Sequence, residues 1–298
     1  MQLKRFMIRP LVEQALREEV GPGDTTGGFL VGDDPVLRAQ IYAKDSGIVC
    51  GVLLADETVR MLDAEAVIEP QVKDGERIGP GSILIKIKAR ASSLFMIERC
   101  ALDWLQQLSG IATKTRRYCD LVKHTKVRLT DTRKGWPGLR MLQKYAVRVG
   151  GASNHIFNLH NCVLVKDNHI KIAGGIKPAM DILRARAQHT FKIEVECETL
   201  EQVQEALDCG VEVIMFDNMS LADVKRGVKL VRGRAITEAS GGINESTVVA
   251  FAETGVDVIS IGDLTHTIKA LDISLDVKDI KPSARRDIAR LRAAAAAK

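Results

Sequence analysis

Aromatic side chains are scarce in this chain: two Trp, three Tyr and seven Phe among 298 residues. That leaves little material for the stacked-base platforms of single-strand nucleic-acid binders, so no nucleic-acid partner is expected. No apolar run reaches the length of a membrane span, so no membrane partner is expected either. The opening MQLKRFMIRP lacks the apolar core of a secretory signal. The six cysteines, at 50, 100, 119, 162, 197 and 209, form no CxxC pair. Several lie in apolar runs, where reduced, packed thiols are the rule, and a reducing cytoplasm is the expected compartment. The histidines at 124, 155, 160, 169, 189 and 266 make no HExxH or Cys/His zinc spacing. The formal charge of +5 is too mild to choose between small anions and nucleic acid.

What is present is length enough for one large or two modest domains. An amphipathic segment over 10–20 leads to the glycine-rich GPGDTTGG at 21–28, which reads as a loop. LRAQIYAKDSGIVCG, AVIEPQVKDGERI and SILIKIKA then give short apolar or alternating runs broken by glycine and proline, which are strand signals. VKDGERIGPGSILIKI has the look of a carrier-domain hairpin but lacks an exposed lysine at its tip. From Ser92 the period changes: Leu94, Ile97, Ala101, Leu105 and Leu108 mark one face of a helix that Gly110 should interrupt or end. Arg99 in this helix sits beside Glu98, and a local surface ion pair is its plain reading. The basic, alanine-rich tail over 281–298 suggests a terminal helix.

Beyond residue 125 the chain acquires a beat. Apolar strand candidates lie at 127–130, 162–165, 191–196, 211–216, 234–239 and 256–261. Helical segments part the later ones. Thr199 with Gln202 and Ser220 with Asp223 mark helix starts, and Gly210 and Gly255 mark stops. Strand, helix, glycine, strand is the signature of a parallel β/α architecture. Without a GxGxxG at the first turn, a barrel is favoured over a doubly wound sheet.

Barrel sites are built at the C-terminal ends of strands. Here those positions hold Asp131, Arg133 and Lys134; then Lys166, Asp167, Asn168 and His169; then Glu196; Asp217; Glu238 with Ser240, Gly241 and Gly242; and Gly262 with Asp263. Arg133, Lys134, Lys166 and His155 form a cationic half suited to carboxylate and phosphate. Glu196 and Asp217 form an acidic half suited to sugar hydroxyls or a divalent cation. The late glycines can offer backbone N–H groups to a phosphate. A phosphorylated sugar bearing a pyrophosphate, with Mg²⁺, matches all three zones.

The ordered set GPGDTTGG, IERCALDWLQQLSGIAT, DTRK..PGLR, KYAVRVGG.SNH, VLVKDNHI, IEVE, IMFDN, ASGGI, ISIGDLTH and ALDISLDV resembles the quinolinate phosphoribosyltransferase family over most of the chain. That resemblance implies an α/β fold: an N-terminal open α/β sandwich over 1–113, joined by a returning segment at 272–298, and an incomplete seven-stranded β/α barrel over 114–271. It implies transfer of a phosphoribosyl group from 5-phosphoribosyl 1-pyrophosphate to quinolinate, with loss of pyrophosphate and CO₂. Carried over by motif, Arg99, Arg133, Lys134, His155 and Lys166 would grip quinolinate, and Thr132 would belong to the substrate-binding set. Glu196 and Asp217 would face the ribose and Mg²⁺, directly or through water. Lys134, Lys166, Glu196 and Asp217 would be the catalytic set. Ser240, Gly241, Gly242 and Gly262 would surround the 5-phosphate. The family also implies a homodimer, or a homohexamer, in which Arg99 enters the neighbouring subunit's site.

The chain departs from the family pattern at Ile156, where an arginine is usual, and at Ala152, Gly135, Trp136 and Asp263. Loss of one arginine from a dicarboxylate pocket costs about 1.5–3 kcal/mol unless Arg140 or Arg148 replaces it. Three other readings stand beside the family's own: a phosphoribosyltransferase with a different aromatic acid acceptor, a Schiff-base lyase using Lys166, and a polyanion-binding protein.

Overall fold

The computed structural model describes residues 2–31 and 34–279. The chain forms two compact units, one of residues 1–110 with 270–298, the other of residues 111–269. The helix expected over 281–298 lies outside the described residues.

In chain order the first unit runs α1 (Arg5–Val20), α2 (Thr25–Leu30), β1 (Val36–Ala43), β2 (Gly47–Ile48), α3 (Val52–Leu62), β3 (Val67–Pro70), β4 (Arg77–Ile78) and β5 (Ile83–Arg90). The long α4 (Ala91–Val122) follows and continues into the second unit. That unit holds β6 (Arg128–Thr130), α5 (Arg140–Gly150), β7 (Val163–Val165), α6 (Asp167–Ala173), α7 (Ile176–Arg186), β8 (Ile193–Cys197), α8 (Leu200–Asp208) and β9 (Val213–Asp217). It closes with α9 (Leu221–Val231), β10 (Ile236–Ser240), α10 (Val248–Ala252), β11 (Val258–Ser260) and α11 (Asp263–His266). The chain then returns to the first unit as β12 (Ile273–Val277).

The first unit is an antiparallel sheet in the order β12-β1-β5-β3. Alternation on β5 sends Ile85, Ile87 and Ala89 inward and Lys86, Lys88 and Arg90 outward, while Leu84, out of phase with the inward set, is buried at the register shift against Ile41 and Tyr42 of β1. The apolar stripe of α4 packs against that inner face through Leu94, Ile97, Ala101 and Leu105, with Val52, Ala55 and Val59 of α3. Gln106 ties the returning segment down, accepting from Leu271 N–H at 3.0 Å and donating from Nε2 to the Ile273 carbonyl at 2.8 Å. Two local expectations fail here. Thr25–Gly28, read as loop, is helical. Gly110 does not end α4: Leu108, Ser109, Ile111 and Ala112 are all buried around it, and that packing outweighs the roughly 1 kcal/mol helix penalty of one glycine.

In the second unit six parallel strands pair in the order β6-β11-β10-β9-β8-β7. All six match the strand candidates of the sequence. The expected seventh strand is reduced to a single parallel bridge, Thr130 to Ser153, beside β6. The described sheet is thus open between that bridge and β7, which is the incompleteness anticipated, with one strand fewer. The helix caps are as read: Thr199 Oγ1 accepts from Gln202 N–H at 3.3 Å and Ser220 Oγ from Asp223 N–H at 3.2 Å.

Candidate active site

Register brings the strand ends together. Val165 of β7 is paired with Val195 of β8, so the next positions, Lys166 and Glu196, are neighbours. The Lys166 ammonium lies 2.5 Å from Glu196 Oε1. This corrects the separation into cationic and acidic halves, because adjacent parallel strands stand only about 5 Å apart and opposite charges there pair directly. Burial pushes the Glu196 carboxyl above its ordinary range; Lys166 opposes this, and the charges of Asp217 and Glu194 reinforce it.

Asp217 ends β9, and its Oδ2 accepts from Asn218 Nδ2 at 3.0 Å. Asn218 N–H in turn donates to the Ser240 carbonyl at 3.0 Å, which knits the ends of β9 and β10. Gly241 is required at this junction. Its φ is +95°, and a Cβ would lie 2.2 Å from Asn218 Oδ1 and 2.8 Å from Asn218 N. Nothing lies within 4 Å of the position a Cβ would take on Gly242.

At the β6 end, Thr132 Oγ1 accepts from Lys134 N–H at 3.0 Å, and Thr265 Oγ1 donates to the Lys134 carbonyl at 2.5 Å. The Lys134 stem lies against Gly262, where a Cβ would stand 3.2 Å from its Cδ. Gly135 stands hard against Gln143. A Cβ there would sit 2.3 Å from Gln143 Oε1, which accepts from Trp136 N–H at 3.0 Å, while Gln143 Nε2 donates to the Thr265 carbonyl at 2.9 Å. Arg140 is not a free replacement for the missing arginine. Its guanidinium donates to the Phe157 carbonyl at 3.3 Å and the Arg133 carbonyl at 3.5 Å, so it props the backbone beneath Arg133. Arg148 is exposed in the last turn of α5.

His155 sits deeper, clamped at backbone and ring. Its N–H donates to buried Asp131 Oδ1 at 2.9 Å, and its carbonyl accepts from Lys144 Nζ at 3.2 Å. Lys144 and Asp131 are themselves a fully buried pair at 2.5 Å, and Asn154 Nδ2 donates to Asp131 Oδ2 at 2.7 Å. Burial pushes Asp131 up and Lys144 down, each opposed by the other's charge. The ring Nε2 lies 3.1 Å from Glu194 Oε2 and 3.6 Å from Glu238 Oε1. Burial pulls the imidazole down, but Glu194 and Glu238 prevail and raise it. Glu238, expected at a strand end, lies mid-strand and 3% exposed. Glu194 and Lys144 are the residues that motif reading passed over. The signal for Glu194 was available, since two-residue alternation puts it on the same face as Glu196.

Two cavities adjoin these groups. One of about 430 Å³ is lined by Arg133, Ile156, Leu159, Cys162, Lys166 and His169, among others. The other, of about 250 Å³, takes in His155, Glu194 and Glu238, and Ile156 and Cys162 border both. His169 acts as a cap, its Nδ1 accepting from Lys166 N–H at 3.1 Å. Arg99 belongs to the first unit, exposed on α4. Its guanidinium is 3.6 Å from Asp103, not paired with Glu98, because residues one turn apart face each other on a helix and adjacent ones do not.

The comparisons with known proteins cover nearly the whole chain. Residues 24–109 match the N-terminal domain model of quinolinate phosphoribosyl transferase, and residues 111–276 match its C-terminal domain model. A probable carboxylating nicotinate-nucleotide pyrophosphorylase of Bacillus subtilis is 41% identical over 275 residues, covering 92% of this chain and 95% of the relative. A mitochondrial decarboxylating quinolinate phosphoribosyltransferase of Nicotiana tabacum is 36% identical over 91% of this chain and 82% of its own. The solved nicotinate-nucleotide pyrophosphorylase of Francisella tularensis superposes with a TM-score of 0.89 at 35% identity, covering 93% of this chain and 98% of that one.

Proposed function

The chain belongs to the quinolinate phosphoribosyltransferase family, and we propose that it transfers the phosphoribosyl group of 5-phosphoribosyl 1-pyrophosphate to the ring nitrogen of quinolinate. Pyrophosphate and CO₂ leave, and nicotinate mononucleotide is formed for NAD biosynthesis. The observation that carries this reading is the strand-end rim. There the Lys166–Glu196 pair, Asp217 and the Ser240–Gly242 turn stand on successive strands, and Arg133 lines the same cavity as Lys166.

Each group has a physical task. Arg133 and Lys134 offset the charge of the acceptor and of the departing pyrophosphate. Glu196 and Asp217 orient the ribose and favour the positive charge that grows at its C1. Ser240, Gly241, Gly242 and Gly262 take the 5-phosphate. Once the ring nitrogen is quaternary it stabilises the carbanion left when the adjacent carboxylate departs as CO₂, and that carbon then takes a proton from solvent, so the protein needs no covalent nucleophile. The two carboxylates are a hard-oxygen donor set; burial, with the charge of Asp217 added, raises Glu196, and these two residues would hold a Mg²⁺. Bound there, directly or through water, Mg²⁺ would offset the pyrophosphate's charge.

We place the protein in the reducing cytoplasm, in keeping with six cysteines that are all free. We also place Arg99 in the neighbouring subunit's site, in a homodimer or a homohexamer built of such dimers. The exposed and loosely held guanidinium supports this. A different aromatic acid as acceptor is the second reading, favoured by Ile156 and Leu159 in the cavity that holds Arg133. The Schiff-base reading fits poorly, since an ammonium gripped by a carboxylate is not the desolvated amine such chemistry uses. Incubation of donor, Mg²⁺ and a panel of pyridine mono- and dicarboxylates tests both acceptor readings. Nicotinate mononucleotide and CO₂ from quinolinate are expected. Folded protein that yields neither refutes the main reading, and product from another acid alone establishes the second.

A further inference from the structure

Glu194 and Glu238 have no part in the chemistry above, yet both face the ring of His155, which the family motif assigns to the acceptor. Two carboxyl groups buried side by side cannot both stay charged without a counter-charge. Lys144 is already matched by Asp131 at 2.5 Å. Arg128 and Lys192 line the same cavity but are exposed to solvent, which screens them. The remaining positive group is the imidazole of His155. With a proton on Nε2 the ring donates to Glu194 Oε2 at 3.1 Å, and Glu238 Oε1 stands 3.6 Å from the same nitrogen. Among the described residues, Glu238 Oε1 has no hydrogen-bond partner of its own despite being buried. That oxygen gains from a nearby positive charge and loses if the ring is neutral.

The other ring nitrogen, Nδ1, has no hydrogen bond among the described residues. If the ring is an imidazolium, Nδ1 carries a proton and donates; if neutral, Nδ1 is an acceptor and repels a carboxylate. The backbone on either side is pinned by Asp131 and Lys144, so the ring cannot easily swing away. We propose that Glu194, backed by Glu238, is a positioning residue that holds the His155 ring as a fixed, positively charged donor for the carboxylate of the acceptor. This assignment rests on the phosphoribosyl-transfer reading only for the identity of the acceptor. The charge on the ring can be measured without turnover.

The test uses the full-length protein and the isosteric variants Glu194→Gln and Glu238→Gln. In Glu194→Gln the KM for quinolinate should rise roughly ten- to hundredfold, by analogy with loss of a partner that orients a metal-ligating histidine, with the donor's KM unchanged. Glu238→Gln should act in the same direction but less. The effect should vanish in a His155→Ala background, because Glu194 acts through the ring. Independently, ¹⁵N-histidine NMR, assigned with His155→Gln, should show both ring nitrogens of His155 protonated in the parent at neutral pH and one deprotonated in Glu194→Gln. A neutral ring in the parent overturns the proposal, whatever the activity. So does a donor KM that moves with the acceptor's, or a Glu194→Gln effect that persists without His155. A stoichiometric divalent cation that copurifies and is lost in Glu238→Gln would also overturn it, since the three groups' ligand atoms lie within 4.8 Å of one another. A parent inactive on quinolinate with a protonated ring would sink the acceptor's identity and leave the clamp standing.

Discussion

The Lys166 ammonium and the Glu196 carboxylate meet at 2.5 Å across the ends of β7 and β8, and each is the other's principal counter-charge at the rim. Lys166 is 38% exposed at its side chain, so the pair adds little to folding, about 0–1 kcal/mol. Its weight falls on the reaction. Lys166→Met should lower kcat by roughly 10²–10³, as loss of a preorganised electrostatic group does, with the thermal midpoint nearly unchanged. Steady-state kinetics and thermal denaturation on one preparation check this; a large fall in midpoint with modest loss of kcat contradicts it.

Gly241 and Gly242 adjoin each other but should differ sharply. Alanine at 241 drives a Cβ into Asn218, whose amide holds Asp217. Gly241→Ala should therefore destabilise by more than the roughly 1–2 kcal/mol of a left-handed alanine and weaken donor binding. Gly242→Ala meets open space and carries only the backbone strain of φ +63°. Urea denaturation and donor titration calorimetry separate the two. Equal losses would mean that contact with Asn218 is unimportant.

Asp263, where the family pattern has alanine, contributes to the acid limb of stability. Burial acts to push its carboxyl up, but bonds from Lys114, Thr267 and Tyr118 more than offset this and hold it at about 2, below its ordinary 3.8. The folded state therefore prefers the ionised form. That stability is complete above the unfolded value and is lost as pH falls through about 2; it amounts to roughly 2 kcal/mol. Asp263→Ala should be less stable near neutrality and lose less stability on acidification. Glu238 works the other way. Burial raises it from 4.5 to about 7, so its contribution falls as pH rises between those values, and Glu238→Gln should flatten that slope. Denaturant midpoints across the pH range measure both. An unchanged acid limb in Asp263→Ala would refute the first assignment.

Arg99 gives a prediction about assembly. Arg99→Ala and Glu196→Ala should each be inactive yet fold. Mixed under subunit exchange, they should recover part of the parent activity, because a hybrid dimer has one site carrying both defects and one carrying neither. Exchange confirmed with tagged subunits but without recovery would place Arg99 outside a shared site.

Much of the fold is legible in the sequence because its signals are local. Six strand candidates and the Thr199 and Ser220 caps need only apolar runs and a side-chain oxygen three residues from an N–H. Gly110 and Thr25–Gly28 mislead for the converse reason: propensity and composition are weak beside the packing of neighbours that lie far off in the chain. Among site residues, Asp217, Gly241 and Gly262 are found at the strand ends where the pattern puts them. Glu238 is misjudged by two positions, which on a strand is the difference between rim and interior.

By itself, the sequence determined the order of the six parallel strands, the class of their sheet and the kinds of charge at the strand ends, since period and capping act within a few residues. Only the tertiary structure decided which of those charges are partners. Lys166 pairs with Glu196 because β7 and β8 are in register. Arg140 props backbone because Phe157 and Arg133 turn their carbonyls toward it. His155 faces Glu194 and Glu238 because a strand's alternation and its neighbours' spacing are realised only once the sheet curves and buries its inner face. Pairing of Lys166 with Glu196, 30 residues on, and of His155 with Glu194, 39 residues on, depends on that burial, and no local pattern encodes it.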